Sequence, residues 1–130
     1  MVAAWEAAQV AFHDAALTAD PSFPALAATM VDPQLGGAES ALRGMRARGE
    51  VARGPDFYGS PRVSTVTATG ATVVSCVHGE EIVIFPRNGR PVPGVLGQPD
   101  YELVTSTMVP TSSGWKVADQ TVRVGACAGS

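Results

Sequence analysis

The feature that most constrains the fold of this chain is a change of hydrophobic period near its middle. Residues 3–19 place apolar side chains at the spacing of an amphipathic helix. From residue 50 onward β-branched residues dominate and glycine-containing turns recur, which is typical of strands joined by hairpins. Helices followed by strands predict an α+β fold with the helices packed on one face of an antiparallel sheet. The helical stripe consists of Trp5, Ala8, Phe12, Ala15, Ala16 and Ala19.

Proline-rich breaks divide the first half into about three helices. The segment 20–24 holds two prolines and ends the first helix, because proline donates no backbone hydrogen bond and restricts the residue before it. A short second helix is expected over residues 23–31. Asp32-Pro33 then has the pattern of an N-cap followed by a first-turn proline, and Gly49 that of a left-handed cap, so a third helix is expected between them. Its inward positions are Leu35, Ala38, Leu42 and Met45.

Six strands are expected in the second half. Thr69-Gly70 and Ser112-Ser113-Gly114 predict tight connections within local hairpins. The turn-forming segment 87–94 is expected to be a loop or a small flap hairpin around Asn88-Gly89. The predicted strands are 51–53, 62–68, 72–78, 82–85, 101–109 and 115–124.

Strict alternation in the last strand predicts two mixed faces. Val117 and Asp119 share one face, and Gln120 and Val122 share the other. A curved sheet covered by helices on one side only would produce this pattern, and so would a dimer face.

Composition bounds the size and the partners of the domain. The chain has 130 residues, 45% of them hydrophobic, which predicts a single domain over residues 1–130 with one core. The net charge of −3 is spread without a basic stripe, so we expect no nucleic-acid partner. No apolar run approaches the roughly 20 residues that span a bilayer, so no membrane span is expected.

Motifs for nucleophilic, nucleotide or metal chemistry are absent from the sequence. There is neither a G-x-S-x-G nor a phosphate-binding G-x-x-x-x-G-K pattern. Two cysteines and two histidines offer no ligand spacing, so we expect no metal site and no cofactor. His13 and Asp14 are adjacent on the first helix and point about 100 degrees apart, so they form no acid–base dyad by themselves.

The order of three helices and a long curved sheet resembles the cone-shaped fold of the nuclear transport factor 2-like superfamily, which includes ketosteroid isomerase and scytalone dehydratase. Several local patterns further resemble a family of small secreted or lipid-anchored actinobacterial proteins of unknown function. The chain departs from that family around Cys76, where Ser75 and Val77-His78-Gly79 stand in place of acidic residues. The matching patterns are Trp5 to Phe12, 15–21, 49–55, 61–63, 71–76, 89–92, 114–119 and Cys127.

The resemblance implies a location outside the cytoplasm, secreted or in the cell envelope. The N-terminus lacks the basic region and continuous apolar core of an export signal, which members of that family carry. The alternative is a cytoplasmic protein.

The chain has two cysteines, Cys76 and Cys127, and two is the smallest number that can form a disulfide. We expect a disulfide between them, which persists only in an oxidising compartment. The alternatives are two buried thiols in a cytoplasmic protein and, less favoured, a catalytic cysteine. Neither cysteine has the electropositive helix-start setting that lowers a thiol pKa.

Enzymes of the resembled fold place an acid–base group inside the cone. Here the weak catalytic candidates are Asp119 and Tyr101. The aromatic residues that could line a ligand pocket are Phe12, Tyr58, Tyr101 and Trp115.

Two functions follow as expectations. The first is a non-enzymatic extracytoplasmic domain that binds a partner protein or a small apolar ligand, and that could dimerise through its sheet. The alternative is a small cone-fold enzyme of isomerase, dehydratase or hydrolase type that uses a pocket acid or base.

Overall fold

The computed structural model describes residues 1–54, 59–78, 82–92 and 101–127. Within them three helices precede seven strands, so the predicted α+β class and the order of elements are confirmed. The helices are α1 (Val2–Ala16), α2 (Pro24–Thr29) and α3 (Gln34–Ala47). The strands are β1 (Val51–Arg53), β2 (Arg62–Val66), β3 (Ala71–Val77), β4 (Ile82–Phe85), β5 (Arg90–Pro91), β6 (Glu102–Thr111) and β7 (Gly114–Val124).

Helix α1 ends three residues earlier than its apolar stripe predicts. Ala19 adopts a left-handed backbone with φ of 49°, which ends regular helical geometry. The amide of Asp20 then donates to the carbonyl of Ala15 at 2.9 Å, and the Asp20 carboxylate accepts from the amide of Ser22 at 2.9 Å. This carboxylate turn redirects the chain toward α2.

Helix α3 begins one residue later than predicted, with Pro33 and not Asp32 at the N-cap position. The Asp32 carboxylate accepts a hydrogen bond from the amide of Gly36 at 2.9 Å, and the helix begins at Gln34. The Asp32–Pro33 peptide bond is cis. Gly49 has φ of 69° just past the end of the helix, so the predicted left-handed cap is confirmed.

The strands form two antiparallel sheets. The larger has the order β2-β3-β6-β7 and the smaller β1-β4-β5. Strand β5 was not among the six predicted strands. It completes the flap hairpin expected around Asn88-Gly89, where the Asn88 side chain accepts from the amide of Arg90 at 2.9 Å. Residues 93 and 94 of the predicted loop lie outside the described residues.

The predicted faces of β7 are wrong beyond Val117, because this strand contains a bulge. Met108 pairs with Val117 and Thr107 pairs with Asp119, so one extra residue, Ala118, lies between the two partners on β7. An extra residue reverses the alternation of side chains beyond it. Val117 therefore shares the helix-facing side with Gln120 and with Val122 and Val124, whereas Asp119 lies on the opposite side and is exposed.

The core lies between the three helices and the larger sheet. Small side chains on α1, such as Ala8 and Ala15, are fully buried and let the helix come close to its neighbours. All three helices contact β7, and the amide of Val31 donates to the carbonyl of Val117 at 3.0 Å. The largest fully buried apolar side chains are Trp5, Leu26, Leu42, Met108, Val73 and Val117.

Candidate ligand-binding site

A cavity of about 170 Å³ lies where α1, the end of α2 and the start of α3 meet β7. The bulge at Ala118 turns Gln120 toward this space, and α3 contributes its first residue, Gln34. The wall combines apolar side chains with three glutamine amides. Its residues are Ala8, Gln9, Phe12, Met30, Gln34 and Gln120.

A chain of hydrogen bonds fixes one side of the cavity. Gln34 Nε2 donates to Gln120 Oε1 at 3.1 Å, and Gln120 Nε2 donates to the hydroxyl oxygen of Ser106 at 2.9 Å. The indole Nε1 of Trp5 donates to the same oxygen at 2.8 Å. Both Trp5 and Ser106 are fully buried, so the network orients the amides of Gln34 and Gln120 from the core outward.

The third amide of the wall, that of Gln9, is different. Its Nε2 group is buried, and among the described residues it has no hydrogen-bond partner. A buried donor without a partner costs about 1–3 kcal/mol, and native proteins rarely leave one unexplained. The group is enclosed by protein atoms and does not open onto the cavity, which other atoms of Gln9 line.

The cavity is electrically neutral. No ionisable side chain of the described residues belongs to its wall. An ion pair lies just beyond the far end of α3, where Arg48 Nε donates to the Glu50 carboxylate at 3.0 Å. This hydrogen bond raises the pKa of Arg48, which stays protonated, and the pair lies outside the cavity.

The aromatic residues that the sequence predicts for a ligand pocket do not lie together in the structure. Phe12 lines the cavity. Trp115 is partly buried, packs against the core and pairs with Pro110 at the β6–β7 turn, so it is not part of the wall. Tyr101 packs on the ring of His78, with 5.0 Å between the ring centroids. Tyr58 lies outside the described residues.

The structure does not bring Asp119 and Tyr101 together. Asp119 is exposed and pairs with Thr107, whereas Tyr101 immediately precedes β6. Six residues of strand separate these positions along β6, about 20 Å at the usual strand rise. The two side chains therefore share no cavity and cannot exchange a proton directly.

Cys76 and Cys127 form the expected disulfide, with 6.0 Å between their Cα atoms. It joins β3 to the segment that follows β7 and closes a loop of 51 residues. The amide of Gly125 donates to the carbonyl of Tyr101 at 2.8 Å in the same region. The end of the chain is thereby tied to the larger sheet, away from the glutamine wall.

A second depression, of about 260 Å³, lies at the β2–β3 hairpin. It is wide open, and most of its polar residues are exposed threonines. No buried donor without a partner is found there among the described residues. The glutamine-lined cavity is therefore the better candidate site.

The sequence does not single out the three glutamines of the wall, because glutamine has no diagnostic spacing. Gln9 follows Ala8 on the buried stripe, and Gln34 simply opens a helix. One indication was present for Gln120, a polar residue that shares a strand face with Val122 and Val124. Alternation alone could not show that the three residues converge.

The fold is similar to that of known structures, although no protein-family model and no curated protein matches the chain. The intermembrane space region of the chloroplast protein ARC6 superposes with a TM-score of 0.73 at 14% identity, covering 93% of this chain and 92% of that one. A proposed dehydratase of the nuclear transport factor 2-like family from Streptomyces avermitilis superposes with a TM-score of 0.55 at 18% identity, covering 93% of each chain. At these identities the likeness concerns the fold alone, and it confirms the expected nuclear transport factor 2-like architecture.

Proposed function

We propose that this chain is a non-catalytic, extracytoplasmic domain that binds a small, largely apolar ligand in the glutamine-lined cavity. The observation that carries the proposal is the wall itself, which joins Ala8, Phe12 and Met30 to neutral amides. Apolar walls with a few placed polar groups are typical of ligand sites. Acid–base catalysis instead needs a titratable group within hydrogen-bond reach of the substrate.

The alternative, a small isomerase, dehydratase or hydrolase, has less support. It requires an acid or base on the cavity wall, and the described part of that wall offers only amides, alanine, phenylalanine and methionine. The pair Asp119 and Tyr101 lies elsewhere on the sheet. The similarity to a proposed dehydratase concerns the fold, which hosts many functions.

Two observations support a location outside the cytoplasm. The disulfide between Cys76 and Cys127 is of a kind that persists in oxidising compartments. One structural neighbour, the ARC6 region, is named for an intermembrane space. No helix in the described part of the chain is long and apolar enough to cross a membrane.

Binding of a partner protein is the second candidate, favoured by one exposed feature. Val122 and Val124 are 53% and 60% exposed on the helix-facing side of β7, next to Gln120 and beyond the part of the strand that the helices cover. Adjacent exposed valines on an edge strand can accept an apolar segment of another chain. A homodimer through the sheet stays a prediction, and a solution mass measurement would test it.

Ligand binding can be tested by recording amide spectra of isotope-labelled protein while small neutral molecules such as toluene and cyclohexanone are added. We expect shifts concentrated at Ala8, Phe12, Met30 and Gln120. Phe12→Ala removes the aromatic side chain of the wall and should weaken them strongly. Phe23→Ala is the matched control, because Phe23 is also a partly buried phenylalanine packed against the core but is not part of the wall.

Each remaining outcome of this experiment would overturn the proposal. Shifts that persist unchanged in Phe12→Ala would place the ligand outside the cavity. The absence of shifts with every probe, in protein that melts cooperatively, would show that the cavity holds water only.

A further inference from the structure

We infer that the free edge of β7 binds a second copy of this chain, by antiparallel pairing of the two β7 strands around Thr121. The pairing joins two four-stranded sheets into one continuous sheet. It does not depend on the proposed ligand, because the groups that pair are backbone atoms at the edge of the sheet.

The outer edge of β7 is occupied at one end only. Met30 forms a parallel bridge with Val117, and the amide of Val31 donates to the Val117 carbonyl at 3.0 Å. Beyond Val117 no backbone group of the described residues pairs with this edge, and residues 121–124 are exposed. Open strand edges are where another chain can add a strand.

The ladder with β6 shows which backbone groups of β7 point outward. The amide of Gly125 donates to the carbonyl of Tyr101 at 2.8 Å. Hydrogen-bonded pairs of an antiparallel ladder recur at every second residue, so Arg123 and Thr121 also bond to β6. The residues between them direct their N–H and C=O groups away from β6 and are available to a second strand. They are Gln120, Val122 and Val124.

Charge selects one register among those that this spacing allows. Asp119 and Arg123 are exposed on the side of the sheet away from the helices, and neither forms an ion pair or side-chain hydrogen bond among the described residues. When Thr121 faces Thr121 of the second copy, Gln120 bonds to Val122 and Asp119 lies directly opposite Arg123, once on each side of the two-fold axis. A shift by two residues in either direction removes both charge pairs.

The same register brings protein to the exposed valines. Val122 and Val124 are 53% and 60% exposed on the helix-facing side, whereas Gln120 on that side is partly buried. Antiparallel pairing places the helix-covered half of one β7 beside the open half of the other. The two helical layers therefore lie at opposite ends of the interface, each next to the valines of the other copy.

The chain also leaves the edge at a suitable place. In this register Val124 of the second copy lies beside Ala118, and the next position, Val117, is already taken by Val31. Gly125 has φ of 74° and turns the chain away directly after Val124. The second copy thus ends its pairing where the edge ceases to be free.

The oligomeric state of the whole chain tests this interface. The paired strands bury less than the roughly 1,200 Å² of a stable interface, so we expect a weak dimer with a dissociation constant of about 0.1–1 mM at low salt. Sedimentation equilibrium over that concentration range measures it. Association should weaken at high salt, because the charge pairs are exposed.

Charge reversal tests the register. Asp119→Arg and Arg123→Asp each place like charges opposite one another and should raise the dissociation constant about ten- to thirtyfold. An equimolar mixture of the two variants should associate like the wild type, because each new charge then faces its opposite. Arg62→Asp, an exposed reversal on the other edge strand, β2, is the matched control and should change nothing.

Cysteine cross-linking tests the register without changing charge. Directly opposed residues of a non-hydrogen-bonded pair have Cα atoms about 4.5 Å apart, within disulfide range. Thr121→Cys chains should therefore link to each other at this position when oxidised glutathione is added, as peptide mapping would show. Val122→Cys should not link, because in this register the two positions are diagonal neighbours about 7–8 Å apart.

Three results would overturn the interface. The first is a purely monomeric wild-type chain at about 1 mM and low salt. The second is association that both charge reversals leave unchanged, or that their mixture fails to restore. The third is a mass that keeps rising with concentration and falls in Arg62→Asp. Such growth would mean that β7 pairs with β2 of the next copy, since head-to-tail contacts do not close into a dimer.

Discussion

The indole nitrogen of Trp5 donates a hydrogen bond to the hydroxyl of Ser106 at 2.8 Å, across 101 residues of sequence. Gln120 donates to the same oxygen at 2.9 Å. The hydroxyl of Ser106 on β6 thus accepts hydrogen bonds from both α1 and β7, and both of these elements contribute residues to the cavity wall. Stability and site geometry depend on the same buried atom.

Replacing Ser106 with alanine should therefore be costly. The change leaves the donors of Trp5 and Gln120 without their acceptor in the core, and each such loss costs about 1–3 kcal/mol. We expect Ser106→Ala to lower the free energy of unfolding by about 2–4 kcal/mol. Urea denaturation followed by tryptophan fluorescence measures it.

Ser75 provides the matched control on the neighbouring strand. Its side chain is also fully buried, but its oxygen has no hydrogen-bond partner among the described residues. Ser75→Ala should change the free energy of unfolding by less than about 0.5 kcal/mol, or raise it. Equal losses in the two variants would show that the cost arises from packing and not from the shared hydrogen bonds.

Gln9→Leu should not destabilise the empty protein. The change removes a buried donor that has no partner and adds apolar surface to a partly apolar wall. We expect the free energy of unfolding to stay equal or to rise by up to about 1 kcal/mol. A loss of that size in thermal or urea melts would mean that Gln9 has a strong partner, such as a fixed water molecule.

Reducing the disulfide should destabilise the chain by an amount that grows with the logarithm of the length of the loop it closes. In the chain-entropy account a loop of 51 residues corresponds to about 4 kcal/mol as an upper value. A Cys76→Ser and Cys127→Ser double variant should unfold at lower urea concentration and become insensitive to reductant. Intact mass after alkylation in denaturant should show no alkylation of unreduced wild-type protein, and two modified cysteines would contradict the disulfide.

Two glycines should respond in opposite directions to alanine. A Cβ at Gly59 would overlap the carbonyl oxygen of Cys76, so Gly59→Ala should cost about 1–3 kcal/mol through forced backbone movement. Gly37 lies within α3 with nothing near its Cβ position. Gly37→Ala should stabilise by about 0.5–1 kcal/mol. Differential scanning calorimetry of both variants checks the contrast.

Much of the fold could be predicted because local chemistry determines it. The apolar stripe through Trp5 and Phe12, the proline break before α2 and the turn at Gly114 act over a few residues. The structure has a helix, a break and a turn at these places, although α1 ends three residues before its stripe does. For the segment that contains β5 the sequence predicts either a loop or a flap hairpin, because two residues give too short a pattern to identify a strand. The disulfide between Cys76 and Cys127 is predictable because the sequence offers each cysteine only one possible partner.

The candidate site was less predictable because its parts come from distant segments. The sequence predicts Phe12 as a pocket residue because aromatic side chains are obvious candidates to line an apolar pocket. Gln9, Gln34 and Gln120 were not, because neutral amides occur anywhere on a surface. Asp119 was favoured as a catalytic candidate on residue type alone.

By itself the sequence determined the α+β class, the breaks between helices, most hairpins and the absence of nucleophile motifs, since these depend on spacing and on local backbone preference. Only the tertiary structure decided which way β7 faces beyond Val117. One extra residue, Ala118, turns Gln120 inward and Asp119 outward, and a bulge depends on pairing with β6 that alternation within one strand cannot encode. The unused donor of Gln9 is likewise a property of its neighbours, because a hydrogen bond can be missing only where packing has already excluded water.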